Sequence, residues 1–222
     1  MKQYSVTLHG ASPLLLHRDN LSFYEKVKAW QIDPQNKEYS KAGDDRSPAW
    51  TWIGCLYSDG QHLGIDSDNL MTMLREGGAR LKTGNKNETY KKQTQYGLFV
   101  DQIQFDLLVS GKKIPVAPIN EYIGNMDFYA HEAFAEQQGF ELFVKRSKIG
   151  QAKHVRVRPM FRDWTAIGSI TVIDEEQSGL TRGVLQRIFD LAGGMCGLGD
   201  WRPSSKTPGS FGKFTATLDP LG

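Results

Sequence analysis

The chain has 222 residues, of which 39% are hydrophobic and 23% are charged. This composition is typical of a folded protein and argues against global disorder, and the length allows one large domain or two small ones. The formal net charge is only +2, so total charge does not indicate a polyanionic partner, and such an argument depends on where the cations lie.

The cellular location is predicted from the two cysteines and from the first residues of the chain. Cys55 and Cys196 lie far apart, and the start of the chain alternates polar and apolar residues instead of forming an apolar signal sequence. No segment reaches the roughly 18 apolar residues that a membrane-spanning helix needs. We therefore expect reduced thiols in a soluble, cytoplasmic protein without a membrane partner.

The first third of the chain predicts a strand, a helix and a weakly patterned segment. Alternation over residues 4–9 indicates a strand that ends near Gly10. Helical spacing then relates three apolar residues, Phe23, Val27 and Trp30. The polar segment 33–46 that follows is typical of an insertion or a mobile loop.

The middle of the chain predicts a second helix, one or two strands and a second insertion. Residues 66–69 offer N-cap side chains, and the apolar residues after them have helical spacing up to an expected end at Gly84. Residues 96–108 predict the strands. The segment 111–139, which contains two prolines and scattered aromatic residues, is typical of an insertion.

The last third predicts a hairpin, a strand, a helix and a final strand. These elements are expected over residues 140–144, 154–159, 166–173, 181–191 and 211–218, with a turn at 147–151. When insertions of about 19–62 and 111–139 are set aside, the order is β-α-β-β-α-β. This order predicts an α+β protein with a ferredoxin-like, or RRM-like, core formed by a single domain over residues 1–222.

The strongest local charge signal is a basic hairpin over residues 140–163. Arg156 and Arg158 alternate with valines, so both guanidinium groups are expected on one face of their strand. A row of cations on a protruding hairpin suits a phosphate backbone, whereas the alternative is a solvated surface. Local carboxylates are scarce, which favours binding. The predicted contacts are Lys145, Arg146, Lys148, Lys153, Arg156, Arg158 and Arg162.

A second basic group lies between residues 75 and 92 and has tyrosines beside it. Tyr90 and Tyr96 beside cations suit the stacking of unpaired bases, a mode that tolerates any base sequence. The alternative is a helix end whose cations interact with the macrodipole, followed by a polar loop. The cations are Arg75, Arg80, Lys82, Lys86, Lys91 and Lys92, and the predicted nucleic-acid contacts are Lys82, Lys91, Lys92 and Tyr90.

A third candidate is the glycine-rich segment 193–203. Glycines after a helix permit positive φ and close backbone approach, and repeated glycines can bind phosphates through backbone N–H groups. The segment follows a helix instead of opening one, so it is neither a Walker loop nor a dinucleotide-binding motif. Trp201 could stack on a base or hold the loop against the core. The predicted contacts are Gly197, Gly199, Trp201 and Arg202.

The predicted element order resembles the RAMP superfamily, in particular the backbone subunits of CRISPR effector complexes. The same resemblance is found in the sequence GLGDWRP at 197–203, which is followed by FGKF at 211–214. The sequence HLGIDSDNL at 62–70 is similar to the strand-to-helix entry of that superfamily, although many members have Ile-Pro-Gly where residues 65–67 are Ile-Asp-Ser. Segments 156–164 and 197–203 also resemble small phage proteins of this type.

This resemblance implies a palm-like domain whose basic hairpin grips single-stranded RNA or DNA. Such proteins often polymerise along the strand, so a homo-oligomer or filament on nucleic acid is expected. The resemblance also implies a prokaryotic cell or a phage-infected host, and it does not distinguish RNA from DNA or indicate whether a guide is carried.

Catalysis is the second hypothesis. Some members of the superfamily cleave RNA with a histidine base, and His17 is the best of the five histidines because it follows the first strand. Others use a loop aspartate, for which Asp44 and Asp45 are the candidates. No zinc-spaced pair, calcium loop or nucleophile motif occurs, so we expect no metal and no cofactor and predict that the chain is not an enzyme.

A third hypothesis is a phage structural or inhibitor protein that acts through protein contacts. The two insertions are rich in aromatic residues that would suit such contacts, namely Trp30, Tyr39, Trp50, Trp52, Phe128 and Tyr129. The same residues would suit packing between copies along a strand. The sequence therefore favours a nonspecific single-strand-binding protein and leaves the nuclease and the protein-contact hypotheses as alternatives.

Overall fold

The chain folds into helices and antiparallel sheets, which confirms the predicted α+β class. The structure, a computed structural model, describes residues 1–85, 87–149 and 152–221. Its strands are β1 (Lys2–Gly10), β2 (Leu14–Leu15), β3 (Gly64–Asp66), β4 (Leu98–Val100), β5 (Gln104–Val109), β6 (Lys112–Lys113), β7 (Glu141–Ile149), β8 (Ala152–Phe161), β9 (Trp164–Val172) and β10 (Phe214–Leu221).

The helices follow the same order along the chain. They are α1 (Leu21–Ile32), α2 (Ser67–Gly78), α3 (Lys91–Tyr96), α4 (Ala117–Asn120), α5 (Phe128–Gln137), α6 (Glu175–Ser178) and α7 (Arg182–Leu191). Short 3₁₀ segments span Pro34–Asn36 and Ala49–Cys55, and a π-helical turn spans Ala192–Cys196. Within the described residues, no helix has the length and apolar character that crossing a lipid bilayer requires.

Most of the predicted elements are confirmed, and two predicted boundaries are wrong. The first strand, the first helix, the hairpin, the helix over 181–191 and the last two strands all occur close to their expected positions. The turn predicted over 147–151 begins too early, because residues 147–149 pair with β8 as part of β7, and residues 150 and 151 lie outside the described residues. Helix α2 ends at Gly78 instead of Gly84, because the next N–H groups, those of Arg80 and Leu81, donate to Gly77 O and Gly78 O, after which Leu81 O accepts a hydrogen bond from Tyr90 N.

Packing divides the chain into two units, each assembled from separate segments. The first, here called the sheet unit, comprises Met1–Leu14, Ser58–Ile114 and Arg162–Gly222. The second, the hairpin unit, comprises Leu15–Tyr57 and Pro115–Phe161, so it contains most of both predicted insertions together with the hairpin. The expectation of a single domain stays a prediction.

The sheet unit is organised around β1. The strand order is β10-β1-β9-β5-β3, and every neighbouring pair is antiparallel. The short strands β4 and β6 pair with β9 and β5. Helix α2 lies between β3 and β4 in the chain, α7 lies between β9 and β10, and the two helices pack against each other.

The core of the sheet unit lies between these helices and one face of the sheet. Alternation along β1 buries Tyr4, Val6 and Leu8 on this face, as the period of two residues requires. The helices supply apolar residues at helical spacing, Leu70, Met73 and Leu74 from α2 and Leu185, Ile188 and Phe189 from α7. The sheet and both helices therefore bury one face each.

The hairpin unit has an aromatic core beneath a three-stranded sheet of order β2-β8-β7. Trp52, from the 3₁₀ segment, and His131, from α5, are both fully buried. Trp52 Nε1 donates a hydrogen bond to His131 Nδ1 at 3.0 Å, and the ring of Trp52 contacts that of Phe140. This bond satisfies the buried indole N–H, which would otherwise be costly to bury.

Helix α1 has apolar residues on two opposite sides. Phe23, Val27 and Trp30 share one side, and the edge of Phe23 contacts Trp50 at a ring separation of 5.5 Å. Leu21, Tyr24 and Ile32 fall within about 80° on the other side. These three residues are 72%, 52% and 72% exposed. Leu21 and Ile32 are therefore largely left out of the packing of the hairpin unit, whereas about half of Tyr24 is covered.

His131 should make the stability of the protein depend on pH. Burial lowers the pKa of its imidazole, whereas the backbone oxygen of Asn125, 2.9 Å from Nε2, acts in the opposite direction. Because the unfolded histidine titrates near pH 6.5, this contribution to stability is complete above that pH and is lost as the pH falls below it. We expect the free energy of unfolding to decrease by up to about 1.4 kcal/mol from pH 7.5 to 5.5.

Urea denaturation of the native protein and of His131→Gln at both pH values would measure this effect. The glutamine keeps a hydrogen-bond acceptor and a donor but does not titrate, so the difference between pH 7.5 and 5.5 should shrink. An equal pH dependence in both proteins would contradict the assignment.

Candidate nucleic-acid interface

The register of β7 and β8 distributes the hairpin cations over two faces. Lys145 lies opposite Arg156, and Lys148 lies opposite Lys153. Residues directly opposite each other share a face, and successive residues alternate, so these two pairs project in opposite directions. Arg158 shares the face of Arg156, as predicted. The cations as a group do not form one row, however, which corrects the prediction of a single basic surface.

Arg156 and Arg158 both bind the carboxylate of Asp45. Arg156 Nη1 donates to Oδ1 at 2.7 Å, and Arg158 Nη1 donates to Oδ2 at 3.0 Å. Arg158 is 6% exposed and Asp45 is 9% exposed. A charge at this depth is stable only when it is paired and hydrogen-bonded. These arginines therefore hold Asp45 against the hairpin, which corrects their predicted role as phosphate contacts.

The loop that carries Asp45 is held along β8 by backbone hydrogen bonds. Val155 N donates to Gly43 O at 2.8 Å, and Asp45 N donates to Val155 O at 3.0 Å. Gly43 has φ +76°, and a Cβ at this position would lie 2.5 Å from His154 Nδ1, so a larger residue would be strained. This local geometry brings the carboxylate to the two arginines.

Asp44, the other candidate loop aspartate, is bound by Arg46. Arg46 Nε and Nη2 donate to its two oxygens at 2.9 and 2.7 Å. These bonds hold the pKa of the Asp44 carboxyl below its ordinary value, although partial burial acts in the opposite direction. His17, the candidate base, is exposed, and its carbonyl accepts a hydrogen bond from Tyr57 Oη. Nuclease activity stays an untested hypothesis.

Three exposed cations share the face of the hairpin opposite to Arg156. Arg146, Lys148 and Lys153, here called the tip cations, lie near the end of the hairpin. In the part of the chain that the structure describes, none of the three is paired with a carboxylate. Lys148 lies directly opposite Lys153, and like charges in this arrangement destabilise a strand pair. An anion bound there would relieve this repulsion.

The remaining two hairpin candidates have different positions. Lys145 is exposed on the face that also carries Arg156. Arg162 follows the end of β8 and belongs to the sheet unit, so it does not lie on the hairpin as predicted. Of the cations predicted to form the hairpin site, only the three tip cations are exposed together on one face.

The second basic group lies around a turn of the sheet unit. Lys82 pairs with Thr89 across this turn, and Lys91 and Lys92 are exposed at the start of α3. The positive end of a helix macrodipole lies at the helix start and disfavours cations there. The macrodipole therefore does not account for the presence of Lys91 and Lys92 at the start of α3. Tyr90 precedes them and is half-buried, and Lys86 lies outside the described residues.

The glycines of the third candidate serve the internal geometry of their loop. Gly197 and Gly199 have φ of +72° and +75°, which favours glycine. Gly212 has φ +69°, and a Cβ there would lie 1.8 Å from Leu198 O, because the two ends of the loop pair through Leu198 N and Gly212 O at 2.9 Å. Close backbone approach accounts for this last glycine without a ligand.

Trp201 and Arg202 both have contacts within the sheet unit. The half-buried Trp201 ring lies 6.4 Å from the ring of Phe211, between centroids. Arg202 Nη2 lies 3.4 Å from Glu76 Oε1, and Arg80 Nη1 donates to Glu76 O at 2.7 Å. The glycine-rich loop and the second basic group therefore meet near Glu76, which their separation in the sequence did not reveal.

The face of the sheet opposite the helices, here called the open face, carries hydroxyl groups where RRM proteins have stacking aromatic residues, although Ser169 and Thr171 on it are buried. On this face, β1 and β9, both fully described, contain no Phe, Tyr or Trp, and their side chains include Ser5, Thr7, Ser169 and Thr171. The RRM mode of stacking bases on the central strands is therefore not available here.

Asp101 lies beside this open face and binds two of its hydroxyl groups. Ser169 Oγ and Thr171 Oγ1 donate to its carboxylate at 2.5 and 2.6 Å, and Gln3 Nε2 donates at 2.8 Å. Burial acts to raise the pKa of this carboxyl, but the three hydrogen bonds outweigh it and lower the pKa. The carboxylate is therefore already saturated with donors from the sheet unit.

Sequence reasoning missed the role of Asp45, because carboxylate partners were sought only near the hairpin. Asp45 precedes Arg156 by 111 residues. The signal that could have indicated it is the pair of acidic residues at 44 and 45 inside a polar, apparently unpatterned insertion. Among the described residues, no group of three or more His, Cys, Asp or Glu residues is arranged to hold a metal ion.

Comparison of the sequence with models of protein families finds no match, and a search among curated proteins finds no significant relative. The functional proposal below therefore depends on the geometry of the chain itself.

Replacing Asp45 with asparagine should strongly destabilise the hairpin unit. The substitution removes the negative charge that binds both Arg156 and the buried Arg158, and breaking a buried ion pair in this way costs about 3–5 kcal/mol. Urea denaturation of the native protein and of Asp45→Asn would measure the loss.

Asp44→Asn is the matched control, because Arg46, its partner, is more exposed and such pairs contribute about 0–1 kcal/mol. Equal effects of the two substitutions would contradict the structural role of Asp45.

Proposed function

We propose that the chain binds single-stranded nucleic acid, RNA or DNA, without sequence preference, through the tip cations of the hairpin. The observation that carries this proposal is the exposed group of Arg146, Lys148 and Lys153 on one face, with two lysines directly opposite each other. Folding brings these charges together at a cost in repulsion. A phosphate backbone would compensate for that cost and would release counter-ions on binding.

The basic residues of the sheet unit are proposed as a second set of contacts. Lys82, Lys91 and Lys92 are exposed, and the helix that begins at Lys91 gains nothing from them. Such contacts would position the strand without selecting its sequence. Arg202 and Trp201 have partners inside the sheet unit, so we assign them to the support of the glycine-rich loop.

The proposed architecture of the sheet unit is ferredoxin-like. The antiparallel order β10-β1-β9-β5 and the positions of α2 and α7 in the chain support this assignment. They correspond to a β-α-β-β-α-β unit in which two helices cover one face. The resemblance of segments 62–70 and 197–203 to the RAMP superfamily agrees with it, and we propose relationship to that superfamily on this basis.

We further propose that the chain binds nucleic acid without cleaving it. Both loop aspartates that would be candidates for RNA cleavage are engaged by arginines, Asp44 by Arg46 and Asp45 by Arg156 and Arg158. The oxygens of both carboxylates already accept hydrogen bonds from these arginines, at 2.7–3.0 Å, so neither is oriented toward a substrate hydroxyl. Labelled RNA and DNA recovered intact after incubation with the protein would support a binding role.

Removing the tip cations should weaken binding to all sequences alike. For the triple variant Arg146→Gln, Lys148→Gln and Lys153→Gln, we expect an affinity lower by about tenfold or more at moderate salt. The slope of log K against log salt concentration should also decrease in magnitude by about 2, since each phosphate contact on a single strand contributes about 0.7. Fluorescence anisotropy with labelled oligonucleotides measures both quantities.

The matched control removes three positive charges elsewhere in the hairpin unit, at the exposed residues Lys26, Lys28 and Lys37. This variant should bind nearly as the native protein does. If both triple variants lose affinity equally, net charge and not the tip of the hairpin governs binding, and the proposed site is wrong.

Assembly of copies along the strand is the remaining part of the proposal. The stripe of Leu21, Tyr24 and Ile32 on α1 is the apolar surface that supports it, because Leu21 and Ile32 are each 72% exposed and Tyr24 is 52% exposed. We propose that a neighbouring copy covers this stripe when several copies bind one strand.

The double variant Leu21→Ser with Ile32→Ser should bind a short oligonucleotide normally but lose cooperative binding to a long one. Sedimentation of the complexes would separate these cases, because assembly increases the mass per strand. Ile103→Ser with Ile173→Ser, exposed residues of the sheet unit, is the control. Unchanged cooperativity in the α1 variant would exclude the stripe as the contact between copies.

A further inference from the structure

The hairpin unit contains a cavity of about 460 Å³ whose lining is rich in aromatic residues. It lies between the loop that includes Asp44 and Arg46, the start of α5 and strand β7. The lining residues used below are Tyr39, Arg46, Phe128, Tyr129, Glu132 and Val144. This volume falls in the range of sites that hold small ligands or parts of larger ones.

Two tyrosines of this cavity are far more exposed than aromatic residues usually are. Tyr129 is 80% exposed and Tyr39 is 64% exposed. Tyr129 is fixed in the first turn of α5, where its backbone N–H is capped by Asp127 Oδ1 at 3.0 Å. Large flat side chains held at the rim of a cavity offer surface that the folded chain itself does not use.

Arg46 adds a planar cation to the same lining. Its two bonds to Asp44, at 2.9 and 2.7 Å, fix the guanidinium plane, while 44% of its side chain stays exposed. Both tyrosine rings and guanidinium planes stack on nucleobases. The lining also contains Lys41 and the carboxylates of Asp44 and Glu132, so its formal charges cancel and it suits a neutral base better than a charged group.

The cavity lies in line with the tip cations. Val144, which lines it, shares its face of β7 with Arg146 and Lys148, because these residues are two positions apart. Steps of two residues correspond to about 7 Å along a strand. A ligand that follows this face passes from the charged end of the hairpin to the aromatic cavity.

We infer that this cavity receives a nucleobase of a single strand whose phosphates lie along the tip cations. The base stacks on Tyr39 and Tyr129, and the cations hold the backbone that leads to it. This inference rests on the proposed function, since it needs the tip cations to bind phosphates. Stacking requires only an aromatic face, so the cavity accepts any base.

The test compares binding to a single-stranded oligonucleotide with binding to an abasic strand of the same length, by fluorescence anisotropy. The native protein should bind the strand with bases more tightly. The double variant Tyr39→Ala with Tyr129→Ala should bind the strand with bases about 5- to 100-fold more weakly than the native protein does. Its affinity for the abasic strand and its salt dependence should be unchanged, because no phosphate contact is lost.

Two controls accompany the double alanine variant. Tyr39→Phe with Tyr129→Phe keeps both rings and should retain native affinity. Phe99→Ala removes an aromatic ring of the sheet unit, which is 43% exposed, and should also leave the affinity unchanged. Both tyrosines of the cavity are exposed, so their removal should not alter the unfolding midpoint, which urea denaturation checks.

The outcomes separate this inference from the proposed function. If the native protein binds both strands equally and the double alanine variant is unaffected, the cavity does not hold a base and the inference is overturned, while the binding itself agrees with phosphate contacts at the tip cations. If the native protein binds neither strand, the proposed function fails first. If the alanine variant changes only self-association, measured by sedimentation without nucleic acid, the tyrosines form a protein contact and the inference is overturned.

Discussion

The buried ion pairs of Asp45 with Arg156 and Arg158 are the interaction on which the hairpin unit depends. One carboxylate compensates two guanidinium groups and also accepts a hydrogen bond from Val157 N at 3.2 Å. The desolvation free energy of these buried charges is offset by their attraction and hydrogen bonds only while the carboxylate and both guanidinium groups are present. The pairs therefore attach the loop that carries Asp45 to β8, and they remove two arginines from the surface available to a ligand.

This arrangement separates the cations that stabilise the fold from those that a ligand can reach. On the hairpin, Arg156 and Arg158 face the loop, whereas the tip cations lie exposed on the opposite face. In the sheet unit, Glu76 binds Arg202 in a similar way, while Lys91 and Lys92 stay exposed. The total charge of the chain is slight, so a polyanion would be recognised through these local groups and not through a general field.

The elements that could be predicted from the sequence are those with strong local patterns. Alternation indicated β1 and the hairpin, and helical spacing indicated α7, because each of these elements presents one face to a core. The end of α2 was placed too late, since the hydrogen bond from Tyr90 N to Leu81 O is a contact between segments that no local pattern reports. The segments predicted as insertions lie largely in the hairpin unit, but the sequence alone does not assign their aromatic residues to a common core or to a common cavity.

The secondary structure of the hairpin and the clustering of cations on it follow from local sequence, because strand periodicity and charge are local properties. Which of these cations remain exposed depends on long-range packing. Asp45 lies 111 and 113 residues before the two arginines that it binds, and periodicity carries no information about a partner at that distance. In the same way, Tyr39 and Tyr129 line one cavity only because the loop and α5 pack beside β7. Long-range packing thus converted a basic hairpin into a buried ion-pair cluster on one face and an exposed basic surface on the other.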